Sequence, residues 1–88
     1  MTVKHDQIKA GEHLNTDQST FLTAFCDAVS DDTTASIKVW DIGNGLQWDE
    51  GVTRKVSHNL ARRGLLQVVG IGGLYTVTSE GVRIARNQ

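Results

Sequence analysis

Between positions 54 and 63 the chain places Arg54, Lys55, His58, Arg62 and Arg63 within ten residues. Guanidinium and ammonium groups so close together suit polyanions: Arg forks onto phosphates or the edge of guanine, and Lys adds a point charge. Other reactive types are scattered. Cys26 is the single cysteine, so no internal disulfide can form, and its apolar neighbours Leu22, Phe25 and Val29 mark it as a buried structural thiol. His5 and His13 lie near Asp6 and Glu12, but at no spacing that defines a metal site. Asp31-Asp32 reads as a helix-ending loop. No nucleophile–base set, phosphate-cradling motif or paired carboxylates in a pocket is present, so neither an enzyme nor a cofactor or metal is expected.

The cluster stands out because the charge is uneven. Net charge is −1 overall, yet residues 1–35 carry two lysines against six carboxylates, while residues 36–88 carry seven Lys and Arg against four. Screening cuts off exposed charges beyond about 8–10 Å, so the local excess matters more than the total. Eighty-eight residues with 39% hydrophobic content, 22% charged content and no proline form one small globular domain. No apolar run reaches the ~20 residues of a membrane span. The opening residues lack the apolar core of a signal peptide, and a cytoplasmic location is expected.

Several elements must hold the basic segment. Residues 1–16 read as a flexible polar arm, followed by a domain over 17–88. Phe21, Phe25 and Val29 recur every four residues and predict a helix over 18–30, capped by Thr16 or Asp17. A short helix over 36–43 is expected next, with Ser36 as cap and Gly43-Asn44-Gly45 as stop, although β-branched Ile37 and Val39 also suit a strand. Trp40 and Trp48 bracket that turn as core aromatics, and would become partner contacts if exposed.

Asp49 then caps a helix over 50–63, in which Val52, Val56 and Leu60 form an inward stripe. Arg54, Ser57, His58 and Arg62 point away from it, Thr53 and Lys55 flank it, and Arg63 lies near it with a snorkelling stem. Gly64 closes this helix. Leu66–Val69 and Leu74–Val77 predict two strands joined by Gly70-Ile71-Gly72-Gly73. Thr78 or Ser79 caps a last helix carrying Val82, Ile84 and Ala85.

Two stretches, Val52–Leu66 with its Arg63-Gly64-Leu65 run and Tyr75–Ala85, resemble the winged helix-turn-helix domains of prokaryotic transcription regulators. The resemblance spans about residues 17–86. It implies an α+β fold: a three-helix core, a two-stranded β-hairpin wing and a short C-terminal helix. It also implies that helix 50–63 enters the major groove of double-stranded DNA. Arg54, Ser57 and His58 would then meet base edges or nearby phosphates, Lys55 and Arg62 the backbone, and Thr53 is a further contact candidate. A small regulator of this kind gains specificity as a homodimer, with exposed apolar residues of the first or last helix as the pairing surface. The wing tip carries no Lys or Arg, and the same scaffold also serves to dock proteins, so a protein partner without DNA binding is the alternative expectation.

Overall fold

The computed structural model describes residues 14–87. The histidines and carboxylates at 5, 6, 12 and 13, and most of the expected arm, lie outside this range. Within it the chain folds as α1 (Thr16–Val29), β1 (Ile37–Lys38), α2 (Val39–Gly45), α3 (Glu50–Arg62), β2 (Leu66–Val68), β3 (Leu74–Val77) and α4 (Ser79–Arg86). The three strands form one antiparallel sheet in the order β1-β3-β2. This is an α+β architecture of four helices and a three-stranded sheet among the described residues.

The first helix begins earlier than its apolar spacing suggests. Asn15, rather than Thr16 or Asp17, is the cap: its side chain accepts from the Gln18 amide at 2.7 Å, and the Gln18 side chain accepts from the Asn15 amide at 2.9 Å. This reciprocal capping box satisfies two amides that would otherwise lack partners. Leu14 packs against the core, so residues 14–16 belong to the domain and not to the arm. Helix α1 then buries Phe21, Leu22, Phe25, Cys26 and Val29, and ends at Ser30 in a left-handed conformation. Ala28, on the same helix, is exposed.

The second element departs further from expectation. Ile37-Lys38 is a strand, pairing Ile37 with Tyr75 and Lys38 with Leu74, and the helix starts only at Val39. The hairpin expected with two strands thus gains a third. Both β-branched tendencies and helical tendencies in this stretch are met, one after the other. No side chain caps α2; Val39 N–H instead donates to the Gly73 carbonyl at 2.9 Å, tying the helix start to the hairpin.

Gly43-Asn44-Gly45 forms the last turn of this helix, which ends at Gly45 rather than at 43. The turn comes later, at Gln47 (φ 63°), where Trp48 N–H reaches back to the Gly43 carbonyl at 2.9 Å. Gly43 serves close packing instead. A Cβ there would lie 2.0 Å from Thr53 Oγ1, so α2 approaches α3 at a distance only glycine permits.

Asp49 caps α3 as expected, accepting from Val52 N–H at 2.8 Å. In the hairpin, Leu66 faces Val77 and Val68 faces Tyr75, and the chain reverses through Gly72 and Gly73 with φ near 80°. Thr78 caps α4 by accepting from Gly81 N–H at 3.0 Å, and its own hydroxyl donates to the Gly64 carbonyl at 2.7 Å. Helix α4 buries Ile84 and Ala85, while Val82 is half-buried. The core joins these residues to Val39, Ile42, Val56, Leu60, Leu65, Leu66 and Val77. Full burial of a Phe or Leu contributes roughly 1.5–3 kcal/mol each, and Phe21, Leu22, Phe25, Leu60 and Leu65 are all fully enclosed.

Candidate nucleic-acid interface

The face that α3 turns to solvent follows from the face it buries. The buried residues are Thr53, Val56, Ser57 and Leu60, spaced i, i+3, i+4, i+7. Val52, expected to anchor inward, is 37% exposed. The inward arc is therefore rotated from the 52/56/60 line towards Thr53 and Ser57.

Two short hydroxyl side chains can sit there because each finds a backbone partner on its own helix. Thr53 Oγ1 donates to the Asp49 carbonyl at 2.9 Å, and Ser57 Oγ donates to the Arg54 carbonyl at 3.2 Å. Both residues are 2% exposed. Both expected contact residues are thus turned into the core rather than towards solvent.

The other four residues share the outer face. Arg54, Lys55, His58 and Arg62 are exposed, and with Gly51 and Asn59 they line one shallow groove along α3. Spacings of four residues from 54 to 58 and from 58 to 62 stack Arg54, His58 and Arg62 along the axis, with Lys55 beside them. A second, narrower depression between α1 and α3 is lined by Asn15, Asp17, Gln18, Val52, Lys55, Val56 and Asn59, which sets Lys55 between the two helices. Arg63 is half-buried, as its position beside the buried arc suggests.

Arg54 is partly engaged. Its guanidinium donates to Glu50 Oε2 at 2.9 Å, and its Cζ lies 5.7 Å from the centroid of the Trp40 ring. Both partners of the ion pair are largely exposed, at 64% and 69% of their side-chain surface. Such a pair contributes at most about 0.5 kcal/mol, so the guanidinium can exchange Glu50 for a phosphate at little cost. The Glu50/Arg54 spacing of four residues was a readable signal for this contact. The Trp40 contact was not readable, since it depends on how closely α2 approaches α3.

The hairpin beside this face differs in character. From Leu65 to Ser79 it carries no charged residue, and Val68, Val69 and Ile71 are 54%, 47% and 94% exposed. No helix among the described residues is long and apolar enough to cross a membrane. No group of three or more His, Cys, Asp or Glu among them could hold a metal ion. No protein-family model matches the chain, and neither a curated protein nor a solved structure matches it.

Proposed function

We propose that residues 14–87 form a winged helix-turn-helix module that binds double-stranded DNA as a small transcriptional regulator, with α3 in the major groove. The observation that carries this reading is the exposed row of Arg54, His58 and Arg62 on α3, flanked by Lys55. A helix fits the major groove, and its outward side chains then lie against base edges and both phosphate walls. Arg54 and His58 meet base edges or adjacent phosphates, while Lys55 and Arg62 hold the backbone. The order helix, short helix, turn, longer helix, hairpin and final helix supports the reading, with β1 as an addition.

Two such modules on a two-part site would supply the specificity that one α3 lacks. The test is a titration of fluorescently labelled random duplex DNA with the wild-type chain and with Arg54→Ala/Lys55→Ala. The wild type binds more tightly at low salt, and the double variant binds at least about tenfold more weakly, each lost cation removing a phosphate or base contact. Equal binding by the two proteins rejects α3 as the reader.

A second reading has its own observation. The uncharged hairpin with exposed Val68, Val69 and Ile71 offers apolar surface and no cation for phosphate, which favours a protein partner over DNA at that edge. Absence of duplex binding at low salt would leave this docking role as the better account.

A further inference from the structure

A separate cavity of about 310 Å³ opens at the α2–α3 junction, lined by Trp40, Asn44, Trp48, Glu50 and Thr53. It shares no lining residue with the outer groove of α3. Both indoles are packed against other elements of the fold. Trp48 stacks on the fully buried Phe21, with ring centroids 5.7 Å apart and planes 16° from parallel. Trp40 presses against the hairpin turn, where a Cβ at Gly73 would lie 2.6 Å from its Nε1. The Thr53 hydroxyl is already committed to the Asp49 carbonyl. Two aromatic residues, the Asn44 amide and the Glu50 carboxylate therefore set the chemistry of the cavity.

Electron-rich ring faces beside a carboxylate attract organic cations. The chain itself illustrates the preference: the Arg54 guanidinium lies over Trp40 and is bonded to Glu50. A planar guanidinium can stack on indole and fork onto a carboxylate, whereas a compact ammonium is more strongly hydrated and cannot stack. The volume lies at the lower end of the range for small-molecule sites.

We propose that this cavity binds a small guanidinium-bearing molecule, stacked on the indoles and hydrogen-bonded to Glu50 and Asn44. The ligand takes over the partners of Arg54 and so releases that side chain towards solvent. The proposal stands on the cavity and its rings, independently of whether α3 binds DNA.

Both tryptophans of the chain line the cavity, so their fluorescence reports on it directly. The full chain is titrated with methylguanidinium chloride, with N-methylurea as a neutral isostere and sodium chloride as an ionic-strength control. The expected result is a saturable change in the millimolar range with methylguanidinium alone. Glu50→Gln weakens it about twofold, the worth of an exposed guanidinium–carboxylate pair. Arg54→Ala tightens it, because the internal competitor is gone. Circular dichroism checks that both variants remain folded, which substitution at these exposed positions should allow. A non-saturable response, an equal response to N-methylurea, or unchanged affinity in Glu50→Gln overturns the proposal.

Discussion

Gly43→Ala tests the contact that sets the position of α3 against α2. A methyl group at position 43 would lie 2.0 Å from Thr53 Oγ1, 2.8 Å from its Cγ2 and 2.9 Å from its Cβ. Thr53 cannot swing aside freely, because it is 2% exposed and its hydroxyl is bonded to the Asp49 carbonyl. Two terms oppose each other. Replacing a helical glycine by alanine gains about 1 kcal/mol in propensity, while overpacking a tight contact costs about 1–3 kcal/mol. Overlap at three atoms of a tethered side chain places the cost at the upper end, for a net loss of about 2 kcal/mol. In a domain of this size each kcal/mol moves Tm by about 4–8 °C, so Tm should fall by roughly 8–16 °C.

Gly45→Ala is the matched control. It lies in the same helix with nothing within 4 Å of the added atom, and should be neutral or stabilising by up to about 1 kcal/mol. Thr53→Ala removes the two nearest overlaps, so Gly43→Ala should cost less in that background, and the double-mutant cycle reads the coupling. Thermal and urea unfolding followed by circular dichroism supply the stabilities of the wild type and the four variants. A Gly43→Ala variant as stable as Gly45→Ala would refute the close approach of the two helices.

Two further expectations concern the rest of the fold. Burial, reinforced by nearby Asp31, pushes the Cys26 thiol up from 9.0 to about 11, and the side chain is fully enclosed. Iodoacetamide should therefore label Cys26 only after unfolding, as read by mass spectrometry; rapid labelling of the native chain would contradict its burial. Because the folded-state pKa is the higher one, the stability linked to the neutral thiol is fully present below pH 9 and is lost as pH rises towards 11. Arg86 joins the ends of α4 and α1, bonding Asp27 at 2.8 Å and Asp31 at 2.7 Å. These are exposed ion pairs, so Arg86→Ala should lower stability only slightly, and less in high salt. Chemical denaturation at two salt concentrations measures it, and an unchanged loss in high salt would count against an ionic origin.

What the sequence revealed depended on which residues carried an unambiguous signal. Phe21, Phe25 and Val29, and the Asp49 cap, placed α1 and α3 within two residues of their observed bounds. Paired glycines between two β-rich runs located the hairpin. The stretch 36–45 was harder, because Ile37-Lys38 becomes a strand only through its tertiary partner Tyr75-Leu74. Gly43 and Gly45 suggested a stop by composition, yet Gly43 is there for what it packs against. On α3 the difference has one source: taking Val52, Val56 and Leu60 as the inward line turns Ser57 outward and leaves Thr53 on the flank, whereas the buried arc runs through Thr53, Val56, Ser57 and Leu60. The Thr53 and Ser57 hydroxyls bond the backbone of the preceding turn, so burial leaves no polar group unsatisfied. The exposed positions of Arg54, Lys55, His58 and Arg62 survive that rotation of the buried arc, since all four lie outside both versions of it.

The central claim concerns that outer row, and its most direct test is the salt dependence of duplex binding by fluorescence anisotropy. With about three phosphate-facing cations per chain, log affinity against log salt should slope near −2.7, roughly a 40-fold loss for a fourfold rise in salt. Lys55→Ala and Arg62→Ala should each make that slope shallower by about one. A flat dependence, or a wild-type slope retained in both variants, would contradict the assignment of α3 to the phosphate backbone.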